Sequence, residues 1–433
     1  IHLELLGTFE EGQRGSIPAR NVPRIVGRVE SHEYVTLEQC SAQGEWSLHL
    51  GGISKSRFRV HHLFLGVGYE EQDVPRFNSL RVSVDGLDEW HSITGLKVEH
   101  RGLTQASIVY ERPPARELWS DGEMTLCLQF AWTPPGLPAV TKAAIHQRSM
   151  LVLRSKELKP LGDFLRVVHQ LVNFLALAVD EAVSIREVTV TSSELTDGDY
   201  EKSIPVYFPS LSFVEAVPKV RPTTMLFTLS ALGSETQAIF SAWFAAHERL
   251  MPAMNLFFSA RAGPHKYLNS RFLWIVQSLE TFHRRAAKIT ELPDEDFARL
   301  KQTLVDAAPV ERREFVEQKF KHANEPSLPK RLRLMIAAFA QYFGDEKARK
   351  QLVHSITNTR HYFTHYDPGL QDSAARGGEL LNLCYRMEAL YQLHLMKEIG
   401  FSDAAIASIV GGFSSLKEKL NPPAPEPEGE EPR

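Results

Sequence analysis

Short apolar stretches separated by turn signals dominate the first half of the chain. These stretches are rich in β-branched and aromatic side chains, and dipeptides such as Asp85-Gly86 and Asp121-Gly122 lie between them. The pattern predicts antiparallel strands at 25–29, 46–50, 80–84, 106–110, 124–130, 150–153, 184–190, 205–208 and 225–229. Segment 161–182 differs, because its apolar residues recur at spacings of three and four. It predicts an amphipathic helix packed on the strands.

The periodicity changes near residue 230, and helical spacing then continues almost to the end. It predicts helices at 234–251, 266–289, 294–307, 310–323, 328–343, 347–364, 374–399 and 402–410. Segment 421–433 is rich in Pro and Glu, so burial cannot offset the entropy lost on ordering it. We expect an α+β protein, with an N-terminal antiparallel β-rich domain and its packed helix at 1–232, an all-α bundle at 233–418 and a disordered tail at 419–433.

Composition narrows the class of protein and its compartment. The 433 residues, of which 43% are hydrophobic, suffice for two soluble domains. Cys40, Cys127 and Cys384 lie far apart, which argues against a zinc ribbon or a disulfide framework and favours a reducing, cytoplasmic compartment. No apolar run reaches about 18 residues and no signal-like segment opens the chain, so we expect neither a membrane span nor secretion.

Charge is distributed unevenly. The whole chain carries 49 basic and 53 acidic residues, a formal charge of −4, which argues against a protein that coats nucleic acid generally. Residues 312–360, in contrast, hold eleven basic and five acidic side chains. We expect an RNA-binding surface from this basic stretch, with solvated helix faces as the alternative. The basic stretch is defined as Arg312, Arg313, Lys330, Arg331, Arg333, Arg349 and Lys350.

Several catalytic classes have no sequence signature here. The chain contains no GxxxxGK[ST] loop, no GxGxxG between a strand and a helix, and no HExxH, GxSxG or kinase motif. We therefore expect no cofactor. His61 and His62 are adjacent in a strand-like region, where neighbouring side chains point to opposite faces, so we expect no shared metal ion. A metal-dependent hydrolase built on this His-rich segment is an alternative that predicts bound metal.

Segment 354–369 brings together histidines and an arginine. It contains His354, Arg360, His361 and His365. Histidine transfers protons near neutral pH, and arginine binds phosphate and offsets charge that develops on it. This combination suits metal-free RNA cleavage, in which a base activates the ribose 2′-hydroxyl and a cation stabilises the transition state.

Context, more than spacing, favours Arg360 and His365. The same spacing also occurs at two other pairs, Arg57/His62 and Arg349/His354. Only the pair 360/365 lies just before Pro368, which must end or break a helix. Five residues of an ideal helix turn about 500°, which places the two side chains about 140° apart. We expect a loosened helix end at His365 or a site shared by two chains. A helix-terminal Arg and His that contact backbone carbonyls are the alternative.

These residues resemble a known family. Segment 360–365, preceded by 356–358 and followed by 366–367, resembles the Arg-x4-6-His motif of the HEPN superfamily (higher eukaryotes and prokaryotes nucleotide-binding). Segment 271–284 resembles the corresponding helix of the ApeA-like HEPN branch. Three further segments resemble the region that precedes HEPN in these bacterial anti-phage proteins, namely 7–9, 87–90 and 161–164.

The resemblance implies an abortive-infection ribonuclease, active without metal, that cuts host RNA, with tRNA the leading candidate. The products would carry a 2′,3′-cyclic phosphate and a 5′-hydroxyl. His365 would be the acid/base and Arg360 the phosphate ligand, and both usually act across a dimer. The residue after the arginine is often Asn in this superfamily, where this chain has His361. The resemblance therefore implies a different positioning role for His361. Supporting residues would be His361, Asn358 and Tyr366. Glu280 and His283 would line the same groove as further support, with an exposed helix face as the alternative.

The same resemblance assigns a role to the β-rich part. It would sense a phage-derived trigger and control the HEPN site. The alternative is a non-catalytic HEPN module that binds RNA or nucleotide while the β-rich part recruits a partner. That alternative predicts RNA binding without new 5′-hydroxyl ends.

Overall fold

A computed structural model describes residues 2–6, 21–31, 33–42, 55–136, 141–210, 217–262 and 267–423. Contacts divide the chain into one unit of Ile1–Pro222 with Phe227–Phe240 and a second of Thr223–Leu226 with Ser241–Arg433. The first is an antiparallel sheet domain and the second is helical, which confirms the α+β prediction. The predicted strand at 46–50, segment 7–9 and tail residues 424–433 lie outside the described residues.

Antiparallel strands make up most of the first unit. Its strands are β1 (His2–Leu6), β2 (Asn21–Arg28), β3 (Tyr34–Ala42), β4 (Lys55–Arg59), β5 (His62–Leu65), β6 (Arg76–Val84), β7 (Leu96–Arg101), β8 (Gln105–Tyr110), β9 (Arg116–Ser120), β10 (Met124–Thr133), β11 (His146–Pro160), β12 (Ile185–Thr191), β13 (Thr196–Asp197), β14 (Tyr200–Glu201) and β15 (Ile204–Tyr207). The helices that belong to it are α1 (Leu87–His91), α2 (Leu161–Val179) and α3 (Leu229–Leu232).

The strands form one large sheet and two small hairpins. The order in the large sheet is β1-β4-β3-β5-β15-β12-β6-β11-β10-β9, and β2 pairs with β3. The longest ladder joins β10 to β11, from Met124 opposite Ser155 to Thr133 opposite His146. The pairs β7–β8 and β13–β14 form the hairpins. Alternating buried side chains along β6, such as Leu80 and Val82, place the core on one face of the strand.

Helix α2 provides much of the core of this unit. It packs on β6 and β11, and Phe164, Val168 and Leu171 on its apolar face are buried. By length and composition it is the one helix of the described residues that could cross a membrane, but 61% of its apolar window is buried inside the protein. A mostly buried core helix has this composition too. The helix ends at Val179, and the capping residue Asp180 has a left-handed φ of 60°.

Helices form the second unit. They are α4 (Thr236–Arg261), whose first residues cluster with the first unit, α5 (Leu268–Ala286), α6 (Asp294–Ala307), α7 (Arg313–Phe320), α8 (Leu328–Ala337), α9 (Glu346–His365), α10 (Gly377–Glu398), α11 (Asp403–Gly411) and α12 (Ser415–Leu420). Single 3-10 turns lie at Gly233–Glu235, Val310–Arg312, Ala340–Tyr342 and Pro368–Leu370.

Helix α10 is central to this bundle. It contacts α5, α8, α11 and α12, and its Tyr391 ring stacks on Phe257 with the ring centroids 4.1 Å apart. The buried carboxylate of Glu388 is surrounded by cations from three other helices. Its partners are Arg271 of α5, Arg261 of α4 at 3.9 Å and Lys419 of α12 at 3.5 Å.

Several predicted elements differ from the structure, and packing explains three of the differences. Helix α4 continues through Pro252, where 251 was the predicted end, because Ala253, Met254 and Phe257 beyond the proline are buried in the core. The strand predicted at 225–229 is a turn leading into α3, and its apolar residues are buried without strand pairing. The disordered tail predicted from 419 is wrong for residues 419 and 420, because they belong to α12 and Leu420 is buried.

Candidate functional site

A cavity of about 550 Å³ lies between α5 and α9. Both helices belong to the second unit. The residues that line the cavity recur at spacings of three and one along α5, as expected for one helical face. Helix α5 contributes Leu273, Val276, Gln277, Glu280, Thr281 and Arg284, and α9 contributes Arg360 and Thr364.

Local sequence fixes both ends of α9. The Asp345 carboxylate caps the N-terminus by accepting a hydrogen bond from the Ala348 N–H at 2.7 Å. Tyr366 caps the C-terminus with a left-handed φ of 51°, and its N–H donates to the Tyr362 carbonyl. The helix is therefore regular through His365. The predicted loosening at His365 is wrong, because the left-handed cap stops the helix one residue later and Pro368 lies beyond it.

Arg360 and His365 face different surroundings within one chain. The half-buried Arg360 lines the cavity together with Thr364, whose hydroxyl donates to the Arg360 carbonyl at 2.7 Å. His365 is exposed and is absent from the described lining of the cavity. Its ring lies 4.8 Å from the ring of His361, centroid to centroid. This divergence agrees with the angle of about 140° expected for an intact helix.

The other predicted supporting residues of α9 lie around its last turns. The exposed His361 has its Nε2 atom 3.9 Å from Asp367 Oδ2. Asn358 Nδ2 is 3.0 Å from Nε2 of the exposed His354. Tyr366 forms the helix cap and places its ring 5.7 Å from that of Tyr362. In the described part of the chain, none of these side chains lines the cavity beside Arg360.

Glu280 and His283, predicted to share one groove, diverge on α5. Glu280 lines the cavity, as predicted. His283 is buried, and its Nδ1 atom lies 3.1 Å from Nη1 of Arg331. Burial, and then the charge of Arg331, lower the pKa of His283. The groove prediction for His283 is therefore wrong, because three residues of helix turn it from the cavity into the core.

Arg331 does not belong to the RNA-binding surface that the basic stretch predicts. Its side chain is 2% exposed, and its Nε donates to the Pro326 carbonyl at 2.9 Å. Buried arginines need such partners, so this one stabilises the chain between α7 and α8. Arg331 therefore lies inside the helical unit, and its assignment to a surface is wrong.

The other members of the basic stretch are nearer to solvent but do not form the wall of the cavity. Two of them bind backbone carbonyls, Arg349 that of Gly344 and Arg313 that of Asp306 at 3.2 Å. Two lysines form ion pairs, Lys330 with Glu291 and Lys350 with Glu346 at 2.6 Å. Arg312 and Arg333 are exposed. Not one of the seven appears among the described residues that line the cavity.

Sequence reasoning missed the polar residues that line the cavity beside Arg360. Gln277, Thr281, Arg284 and Thr364 all contribute to it. A signal existed, because Gln277, Thr281 and Arg284 recur at helical spacing and so form a polar stripe along one side of α5. The sequence did not indicate that α9 covers this stripe.

Family models match most of the chain. The model described as ApeA N-terminal domain 1 matches residues 1–243, more than half of the sequence. This chain belongs to the ApeA family. A second model, described as Apea-like HEPN, matches residues 273–405 and includes every residue that lines the cavity. Neither a curated protein nor a solved structure matches the sequence.

Membership of the ApeA family defines the class of this protein. It is an anti-phage defence effector with a HEPN domain. HEPN domains are generally nucleases, and the Arg360–His365 motif lies within the HEPN match. Across the described residues of this ApeA-family chain, no three His, Cys, Asp or Glu side chains are grouped to hold a metal ion, and His61 and His62 belong to no such group.

Proposed function

We propose that this ApeA-family protein is a metal-independent endoribonuclease built on Arg360 and His365. The observation that carries the proposal is the position of Arg360 in a cavity of about 550 Å³ within the HEPN match, with His365 about 1.4 turns later on the same helix. Ligand sites occupy cavities of this order, about 300–1,000 Å³.

The chemistry follows from the two side chain types. The His365 imidazole accepts the proton of a ribose 2′-hydroxyl, and the 2′-oxygen attacks the adjacent phosphorus. The Arg360 guanidinium offsets the negative charge that develops on the phosphoryl oxygens. The 5′-oxygen leaves with a proton from an imidazolium. The products carry a 2′,3′-cyclic phosphate and a 5′-hydroxyl.

We further propose that two copies of the chain complete one site. In a single chain the regular helix points Arg360 into the cavity and leaves His365 exposed. An exposed His365 is available to a second copy related by a two-fold axis, and isologous pairing brings the same helix from both copies together. This arrangement supports one Arg and one His from different chains at one phosphate.

The biological setting is also proposed. Residues 1–243, which match ApeA N-terminal domain 1, would sense a phage-derived trigger in the cytoplasm. The HEPN unit would then cut host RNA, with tRNA as the leading target, and halt growth of the infected cell as a toxin does. No cofactor and no membrane enter this scheme.

Cleavage of RNA in EDTA by variants of the full chain tests the proposal. We expect the purified protein to cut total tRNA, and Arg360→Ala or His365→Ala to lower the rate by about 10²-fold or more. Arg299→Ala on α6 and His100→Ala on β7, both exposed and outside the cavity, are matched controls that keep the rate.

Two results would contradict the proposal. One is cleavage that needs an added metal ion, and the other is cleavage that survives both substitutions. RNA binding by the wild-type protein without new 5′-hydroxyl ends would identify a non-catalytic HEPN module instead.

A further inference from the structure

Arg284 is a second guanidinium at the cavity, on the helix opposite Arg360. It lines the cavity from α5, and its side chain is 51% exposed. Two carboxylates hold it, with Glu280 Oε1 at 3.2 Å from Nη2 and Glu325 Oε2 at 2.9 Å from Nη1. Two ion pairs therefore hold the guanidinium at the cavity.

The two carboxylates come from different elements. Glu280 is on α5, one turn before Arg284, and also lines the cavity. Glu325 precedes α8 and, besides Arg284, lies 3.4 Å from Nη2 of the buried Arg331. Glu325 thus retains a second cationic partner if Arg284 turns away from it. Release of Arg284 leaves no buried charge unpaired.

Solvent access makes these contacts exchangeable. Ion pairs between half-exposed side chains contribute little to stability, so another anion at the cavity competes with them. A phosphodiester is such an anion, and an arginine fork binds two of its oxygens at once. The cavity is also lined by Gln277, Thr281 and Thr364, whose side chains are of the polar kind that hydrogen-bonds to a ribose or a base.

We propose that Arg284 is a second phosphate ligand of the RNA site, and that Glu325 holds it until RNA displaces the carboxylate. This inference rests on the proposed function of the cavity. It assigns Arg360 to the scissile phosphate and Arg284 to a neighbouring phosphate of the same strand. RNA binding then breaks the contact between Arg284 and Glu325.

Binding of RNA that cannot be cleaved isolates this contact from catalysis. The probe is a fluorescein-labelled single-stranded 2′-O-methyl RNA oligonucleotide, which lacks the attacking hydroxyl, titrated with the full chain at several salt concentrations. We expect Arg284→Gln to weaken binding about tenfold or more. The slope of log K against log salt should fall in magnitude by about 0.7, the value of one phosphate contact on a single strand.

Variants with matched charge changes make the test specific. Arg284→Lys keeps the cation, so its salt slope should equal that of the wild type even if the affinity falls. Arg299→Gln removes the same charge from exposed α6 and should change neither quantity. Glu325→Gln leaves Arg284 with Glu280 as its one remaining ion-pair partner among the described residues and should tighten binding severalfold. Circular dichroism of each variant confirms that the helices are intact.

The outcomes separate this inference from the proposed function. If the wild-type protein cleaves tRNA but Arg284→Gln keeps the wild-type salt slope, the inference fails and the proposed function stands. Unchanged or weaker binding by Glu325→Gln contradicts the restraint by that carboxylate. If the wild-type protein neither binds the probe nor cuts tRNA, both fail.

Discussion

Arg331 and Arg284 have opposite surroundings although each carries one positive charge near the same cavity. Arg331 is 2% exposed and is bonded to Pro326 and His283, whereas Arg284 is 51% exposed and lines the cavity. A charge count along the sequence treats the two alike. Burial decides which cation is available to a ligand, and burial depends on which helix face the core covers.

The buried Glu388 provides a prediction for single-residue energetics. Its carboxylate is 1% exposed beside Arg261, Arg271 and Lys419. Glu388→Gln leaves these cations without a counter-charge, so we expect the opening free energy of α10 to fall by about 3–5 kcal/mol. Native-state hydrogen exchange of α10 amides measures it. Glu379→Gln, which changes an exposed residue of the same helix, is the control. A decrease of less than about 1 kcal/mol in the opening free energy of Glu388→Gln would contradict the prediction.

The sequence predicts where helices form better than it predicts which helices pack against each other. Helix α6 spans 294–307 as predicted, because an acidic first turn and amphipathic spacing are local signals. The continuation of α4 past Pro252 is not local, since burial beyond the proline decides it. The cavity was beyond prediction for the same reason. The motif of Arg360 and His365 is visible in the sequence, but the packing of α5 against α9 beside it depends on the tertiary structure.

The left-handed C-terminal cap of α9 places a backbone strain on Tyr366. Tyr366 has a φ of 51°, a conformation that strains residues with a Cβ but not glycine. Tyr366→Ala and Tyr366→Gly both remove the ring, and only the second relieves the strain. We expect the free energy of unfolding of Tyr366→Gly to be about 1 kcal/mol higher than that of Tyr366→Ala.

Urea denaturation of both variants measures the difference. Equal stabilities, or a less stable glycine variant, would contradict the left-handed cap. The same proteins also decide whether Tyr366 supports the chemistry. We expect cleavage by both to stay near the wild-type rate, because the Tyr366 ring is outside the described lining of the cavity.

Helix α10 makes the stability of the helical unit depend on pH. Burial lowers the pKa of His394 from its ordinary 6.5 to about 4, and the ring lies between Phe282 and Phe339. Between these two pH values His394 is therefore protonated in the unfolded chain and neutral in the folded chain. The free energy of unfolding should fall as pH drops from about 6.5 to about 4, by up to about 1.4 kcal/mol per pH unit.

Denaturation at a series of pH values checks this dependence. His394→Gln removes the titrating ring and should make the decline shallower, whereas His100→Gln, exposed on β7, should leave it unchanged. An equally steep decline in His394→Gln would show that other groups cause it.

The net charge of the whole chain conceals segments of opposite charge. The net charge of −4 combines a basic segment at 312–360 with an acidic segment at 421–433. Buried Arg331 and the paired Lys330 and Lys350 do not serve as free basic surface. The cavity instead carries Arg284 and Arg360. A weak overall charge is therefore compatible with an RNA substrate bound at a few fixed guanidiniums.

Mixed dimers test whether one site takes residues from two copies. Arg360→Ala and His365→Ala are each expected to be inactive. Mixed after subunit exchange, they form dimers in which one chain supplies Arg360 and the other His365. We expect cleavage to return in part. Mixing either variant with the double variant, which lacks both residues, should restore none, and failure of the first mixture would contradict the shared site.

The chemical groups at the ends of the cleavage products reveal how the phosphodiester bond is broken. A defined RNA oligonucleotide is incubated with the full chain in EDTA, and the fragments are identified by mass spectrometry. Attack by the 2′-oxygen, with His365 as the acid/base and Arg360 as the phosphate ligand, predicts a 2′,3′-cyclic phosphate on one fragment and a 5′-hydroxyl on the other. Fragments with a 3′-hydroxyl and a 5′-phosphate would contradict the account.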